Sequence, residues 1–187
     1  MKKPKFKLNN IIFLVVIALL IIPQTRQPIQ VLLHKGLAMF GPSIEEETNR
    51  DSVTFEDWEL KDLDGNTLNF KDLENRVVFL NFWATWCPPC IAELPSIQDL
   101  HDDYKDKIAF VLISSEKLEV VKSFKDKKGY NLNSFTPLSA YPSYFNISSI
   151  PRTFLIDKKG KIVIDKSGAA NWNSETVRQQ IDELILK

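Results

Sequence analysis

The sequence predicts an α/β domain: a mixed central sheet with helices on both faces and a β-hairpin at its N-terminal end, preceded by a separate N-terminal membrane segment. Three observations carry this. From Val53 onward, short apolar runs alternate with helix-forming stretches, the pattern of strands joined by helical crossovers. Near the C-terminal end, Thr153 to Ile156 and Lys161 to Asp165 flank Asp157-Lys158-Lys159-Gly160, which reads as an antiparallel hairpin and makes the sheet mixed. Ahead of the domain, Ile11 to Ile22 is an unbroken run of twelve apolar residues behind a lysine-rich start, the build of an export signal.

With 187 residues and 44% hydrophobic content, the chain can bury one good core, and one globular domain with an appendage is expected. The formal net charge of zero hides an asymmetry. Residues 1 to 40 hold six of the 24 basic residues and none of the 24 acidic ones, which leaves 18 against 24, a net of −6, in the remainder. Such a body has no electrostatic reason to bind nucleic acid. Two cysteines, Cys87 and Cys90, are too few to staple a disulfide scaffold or to complete a four-ligand zinc site unaided; a redox pair is their simplest use. His34 and His101 form no credible metal constellation, so neither a metal nor a cofactor is expected.

Residues 2 to 7 are rich in lysine, and Pro23-Gln24-Thr25-Arg26-Gln27 ends the apolar run. Counted from Leu8 the span is 15 residues, short of the ~20 needed to cross a bilayer core. No small-x-small cleavage site or lipobox cysteine follows closely. An uncleaved signal anchor is the reading adopted, against a cleaved signal peptide and a buried core helix. Four lysines before the span, against one Arg and one Lys soon after it, place the N-terminus inside the cell and the rest outside. Between residues 28 and 40, Ile29, Leu32, Leu33, Leu37 and Phe40 recur at near-helical spacing, giving a short amphipathic helix that either lies on the membrane surface or packs on the domain. Gly41 to Ser52 (GPSIEEETNRDS) is polar and acidic and reads as a linker. The organisation expected is an anchor and amphipathic segment in 1–40, a linker in 41–52 and the folded domain in 53–187.

Within the domain, Phe55 and Trp58 to Leu60 point to a strand, Asp64-Gly65 to a tight turn, and Thr67 to Phe70 to the returning partner. Asp72 is placed to cap one helical turn before a buried strand from Val77 to Trp83. A helix then runs to about Tyr104, with Pro95 freeing the carbonyl of Ile91 and kinking it. Ile108 to Ile113 is the next strand, Glu116 to Lys127 the next helix, and Gly129 its stop. In the less regular stretch 130 to 149, Phe135 to Leu138 is expected as a short edge strand and Tyr141 to Phe145 as a helical turn. Asn173 or Ser174 caps a last helix carrying Val177, Ile181, Leu184 and Ile185 on one face.

The two cysteines, separated by Pro88 and Pro89, fall where the Val77–Trp83 strand gives way to a helix. At a helix N-terminus Cys87 sits in the positive end of the macrodipole, near unpaired backbone donors, which favours thiolate over thiol. Pro88 suits the first helical position, but Pro89 removes a second N–H and leaves that of Cys90 as the nearest donor, so a lowered but not extreme Cys87 pKa is expected. Cys90, one turn deeper, suits the resolving role, attacking the mixed disulfide that Cys87 forms with a substrate. Glu93 lies three residues further along the same helical face. Buried beneath the pair it would have a raised pKa and could accept the Cys90 proton; otherwise it is an ordinary solvated glutamate.

These residues carry a resemblance. Phe82 to Cys90 is similar to the active site of thioredoxins. Together with the export signal, Leu80 to Cys87 (LNFWATWC) and Ile150 to Asp157 (IPRTFLID) resemble the TlpA/ResA-like membrane-anchored thiol–disulfide oxidoreductases of that superfamily, over residues 53 to 187. The resemblance implies a thioredoxin-like three-layer fold, Cys87 as nucleophile, Cys90 as resolving thiol, and Glu93 on the active-site glutamate of the ResA-like branch. It puts Pro151 on the family's cis-proline, with the backbone of Ile150 facing the cysteines and pairing with a substrate strand. Trp86 and Pro88 fall on the substrate-contacting rim. Two positions depart from the pattern. Asn81 stands where thioredoxins have a buried aspartate, which leaves Glu93 as the better proton acceptor. Arg152 stands where many relatives have threonine, a positive charge that either attracts an acidic substrate or faces solvent. Trp83 belongs to the apolar surround, Trp58 and Trp172 to core or rim packing, and His101 to the exposed far end of its helix.

The function implied is dithiol–disulfide exchange on exported proteins, in the reducing direction, by a domain anchored on the inner membrane of a bacterial cell envelope and facing the periplasm. The family points to apocytochrome c or other extracytoplasmic cysteines as clients. Because that compartment oxidises thiols, a reductase there needs an electron donor in the membrane. The competing class is a copper-binding chaperone using Cys87 and Cys90 as soft ligands; related copper carriers add a distal histidine, and neither His34 nor His101 is well placed for it.

Overall fold

In the computed structural model, which describes residues 8–145 and 147–187, the apolar run folds as α1 (Leu8–Ile21) and turns at Ile22 into α2 (Pro23–Leu37). Pro23 sets the break: the residue before it takes extended backbone, φ −72° and ψ 118°, as a residue preceding proline prefers. The two axes bend by 87°. No single helix among the described residues is long and apolar enough to cross a membrane, although α1 and α2 pass that test as a bent pair. The lysines expected ahead of the span lie outside the described residues. Ile11, Phe13, Leu14 and Val16 of α1 are exposed.

The segment expected as a linker is laid along the sheet edge. Glu45 N donates to Val163 O, Ile162 N to Asp51 O (both 2.9 Å) and Val53 N to Gly160 O (2.8 Å), and Ser52 bridges Lys161 in antiparallel sense. Most of its polar side chains face water, Arg50 excepted, whose Nε donates to Glu45 O at 3.1 Å, while its backbone covers unpaired groups of the last hairpin. Gly160 is required there: it has φ 81°, and a Cβ would lie 2.5 Å from Val53 O.

The sheet comprises β1 (Glu59–Asp62), β2 (Thr67–Asn69), β3 (Val78–Phe82), β4 (Ala109–Ile113), β5 (Ser134–Pro137), β6 (Arg152–Ile156) and β7 (Ile162–Ser167), in the order β2-β1-β5-β4-β3-β6-β7. β3, β4 and β5 are parallel; β1 with its two neighbours, and β6 and β7, run antiparallel. Three helices complete the domain: α3 (Pro88–Tyr104), α4 (Leu118–Lys128) and α5 (Glu175–Leu186).

Several expectations are corrected. β5 is internal, because the β1–β2 hairpin folds back to pair Leu60, Lys61 and Asp62 with Pro137, Thr136 and Phe135. The turn before β3 is a 3-10 helix, Phe70–Leu73, capped by Asn69, whose side chain accepts from Lys71 N; Asp72 lies inside it. Tyr141 to Phe145, by contrast, does make a single turn, closed by Phe145 N to Pro142 O at 3.0 Å. His101 is buried, edge-on to Phe110 with ring centroids 5.0 Å apart, because its spacing from Ile97 puts it on the inward stripe of α3.

Alternation along each strand splits the core. Phe79, Phe110, Leu112 and Leu155 point to one face, where Leu94 and Ile97 of α3, Val121 of α4, and Val177 and Ile181 of α5 meet them. Leu80, Phe82, Val111, Ile113 and Phe154 point to the other, met by Trp58, Phe70 and Phe145. The sequence predicts helices on both faces; the second face is instead closed by the 3-10 turn and irregular segments, and among the described residues none of α1 to α5 contributes to its buried cluster. The topology explains it: β3, β4 and β5 step one way across the sheet, so crossovers of one hand through α3 and α4 fall on one face.

Candidate active site

β3 delivers the chain to the site. Trp83 N donates to Ile113 O (2.9 Å), and a turn closed by Cys87 N to Ala84 O (3.2 Å) leads into α3. Glu116, just beyond β4, grips that turn: its Oε2 accepts from Thr85 N at 2.7 Å and its Oε1 from Thr85 Oγ1 at 2.8 Å. Cys87 is the N-cap of α3, and Pro88 and Pro89 fill its first two positions. Neither proline has an N–H, so the first amide free to turn inward is that of Cys90, which donates to Cys87 Sγ at 3.3 Å. The sulfurs are joined in a disulfide, with Cα atoms 5.3 Å apart. Cys87 is 3% exposed and Cys90 fully buried.

Facing the disulfide, the Ile150–Pro151 peptide is cis, and Ile150 O lies 3.8 Å from Cys87 Sγ. Trp86 stands out from the rim, 64% exposed. Between Trp86 and Ile150 opens a pocket of about 210 Å3, walled also by Trp83, Ile113, Tyr141 and Ile147.

Glu93, 1% exposed, lies one turn beyond Cys90 on α3. Its Oε2 accepts from Trp172 Nε1 (2.9 Å) and Ala170 N (3.3 Å), and its Oε1 from Asn81 Nδ2 (3.0 Å). The same Asn81 nitrogen donates to Thr153 Oγ1 at 2.7 Å. Burial pushes the carboxyl up to about 8, against the hydrogen bonds from Trp172, Asn81 and Ala170 and the positive charge of Lys166, which favour the ionised form.

The structure thus brings Cys87, Cys90, Pro88, Trp86, Ile150 and Pro151 to one rim and sets Glu93 in the core on the same helix. Arg152 does not extend this group: it is half-buried and spent on Asp165, with Nη2 to Oδ2 and Nε to Oδ1 both at 2.6 Å, because β6 and β7 pair side by side. No cluster of three or more His, Cys, Asp or Glu able to hold a metal occurs among the described residues. Sequence reasoning missed Trp172 as a partner of Glu93 and Glu116 as a partner of Thr85. Both act across the fold, at separations of 79 and 31 residues, and no local spacing signals them.

A disulfide closed over a helix N-terminus, faced by a cis-proline peptide just ahead of the neighbouring antiparallel strand of a mixed sheet, defines a thioredoxin-like thiol–disulfide exchange site. Comparison with known proteins gives the family. The AhpC/TSA family matches residues 53–164. The thioredoxin-like protein YneN of Bacillus subtilis is 33% identical over 130 residues, covering 67% of this chain and 75% of that one. The thiol-disulfide oxidoreductase ResA of Bacillus cereus is 28% identical over 186 residues, covering 97% and 98%. Among solved structures, a DsbE-type thiol:disulfide interchange protein from Chlorobium tepidum superposes with a TM-score of 0.61 at 26% identity, over 72% of this chain and 96% of that one. The chain belongs to the AhpC/TSA family, as a ResA-like thiol–disulfide oxidoreductase with a thioredoxin-like domain.

Proposed function

We propose that this oxidoreductase is an extracytoplasmic protein disulfide reductase working through its Cys-Pro-Pro-Cys dithiol. In the reduced protein, the Cys87 thiolate, held by the Cys90 N–H and the α3 dipole, attacks one sulfur of a client disulfide. A Cys87–client mixed disulfide forms and the other client sulfur leaves as a thiolate, which takes a proton. Glu93 in its ionised form accepts the Cys90 proton; the Cys90 thiolate then attacks Cys87 Sγ, and the second client sulfur leaves as a thiolate that takes a proton from solvent. The client gains two electrons and two protons, and the Cys87–Cys90 disulfide is restored. The client strand runs beside Ile150 and Pro151, with Trp86 and Pro88 at its flank. The observation that carries the reading is a Cys87–Cys90 disulfide at the start of α3 with a buried carboxyl of pKa about 8 one turn further in.

The domain, residues 53–187, works outside the cytoplasm of a bacterial cell, in the periplasm. Residues 1–40 anchor it to the inner membrane, through α1, and 41–52 connect the two. The exposed apolar surface of α1 supports an anchor. Clients are exported proteins with reducible cysteines, apocytochrome c among them, and a membrane electron donor re-reduces the pair. Insulin reduction by the chain with a dithiol donor tests the activity: turnover abolished by Cys87→Ser is expected, and tight Cu(I) binding without exchange would replace this reading with a copper carrier.

A further inference from the structure

Two open grooves lie along the seam where α2 packs against α3 and the active-site rim. The first, about 530 Å3, has an apolar floor that includes Val31, Ile91 and Phe124, and a rim bearing Lys35 from α2 with Lys127 and Lys128 from α4; among the described residues no acidic side chain lines it. The second, about 470 Å3, runs between Arg26, Gln30 and His34 of α2 and the active-site residues Trp86, Pro88 and Pro89. Gln27 Nε2 ties the two sides together, donating to Thr85 O at 3.4 Å.

Basic residues in the last turn of α4 suit that helix's dipole, which explains Lys127 and Lys128 in isolation. It does not explain why Lys35, from another helix, joins them. Nor does it explain a cationic groove on a body of net charge −6, or why Leu32 and Leu33 of α2 are 71% and 68% exposed beside it. Apolar side chains next to lysines that make no ion pair among the described residues fit the interface of an anionic bilayer. The N-terminal geometry agrees. With α1 entering the membrane, the 87° bend lays α2 along its surface.

We propose that the face formed by α2 and the C-terminal turn of α4 rests on the anionic headgroups of the membrane that α1 enters, and so holds the active-site rim, Trp86 foremost, at the bilayer surface. This rests on the anchor reading of α1. The indole of Trp86 then sits where amphipathic rings are favoured, and clients meet the disulfide from the membrane side.

Trp86 also supplies the readout, because the other three tryptophans, Trp58, Trp83 and Trp172, are buried. The full chain is reconstituted in vesicles of phosphatidylcholine alone, or with phosphatidylglycerol, each doped with a headgroup-level nitroxide lipid. Flotation reports anchoring; quenching of Trp86 reports docking. Salt-resistant flotation with both vesicle types is expected, with stronger quenching in anionic vesicles that high salt abolishes. In the variant Lys35→Gln/Lys127→Gln/Lys128→Gln, quenching falls to the phosphatidylcholine level while flotation and insulin reduction in detergent stay at wild-type values. Each lysine removed shifts the docked-to-undocked ratio roughly fivefold. Flotation with equal quenching in both compositions, as an acidic protein partner for the groove would give, or undiminished quenching in the triple variant, overturns the docking and leaves the anchor standing. No flotation with either vesicle overturns the anchor and the docking with it.

Discussion

At Glu93, burial and hydrogen bonding pull in opposite directions. Loss of hydration disfavours the carboxylate, three donors favour it, and burial wins, leaving a pKa of about 8. In the oxidised protein this makes the folded state hold a proton that the unfolded chain has lost. Stability from this group is therefore full below the ordinary value of 4.5 and falls as pH rises towards 8. Glu93→Gln removes that slope: in urea titrations the variant gains on wild type by about 1.4 kcal/mol per pH unit across the window, while its exchange rate drops and loses the inflection near pH 8. Trp172→Phe deletes the Nε1–H donor to Oε2. A hydrogen bond to a charged group is worth about 1.5–3 kcal/mol, so the kinetic pKa should rise by roughly one to two units, read from the pH profile of client reduction. Cys87, Cys90 and Glu93 were legible because one helix fixes their spacing. Trp172 was not, because only the folded chain brings the segment before α5 beneath α3.

α3 illustrates how an element tunes the site it carries. Its two leading prolines leave a single backbone donor, Cys90 N, for the Cys87 sulfur. Pro89→Ala restores a second N–H in the first turn, and the Cys87 thiolate, titrated by its ultraviolet absorbance in the reduced protein, should move down by about one pKa unit. An unchanged titration would mean that the dipole, not the amide, sets the value. Most strands and helices could be read from period and punctuation. What escaped was placement. Phe135 to Pro137 have the composition of an edge strand, yet the returning hairpin pairs with them, and Asn69 outcompetes Asp72 for the cap because it lies just ahead of the turn, where its side chain can accept from Lys71 N.

Across the whole molecule, the two faces of the sheet carry different burdens. One holds the helices, the disulfide and Glu93. The other is an aromatic layer in which Phe145 meets Trp58, Phe70 and Phe154 with ring centroids 5.8, 5.8 and 5.3 Å away. Phe145→Ala should lower stability by about 3–5 kcal/mol, measured by thermal or urea unfolding, with little change in exchange per folded molecule. An equal loss of both would mean that the layer also shapes the site. The proposed exchange depends on a division of labour between the two sulfurs, and trapping the mixed disulfide tests it most directly. Incubated with an oxidised client, Cys90→Ser should accumulate a covalent complex through Cys87, released by dithiothreitol, and Cys87→Ser should accumulate none. A complex formed through Cys90 in the Cys87→Ser variant, with none in Cys90→Ser, would contradict it.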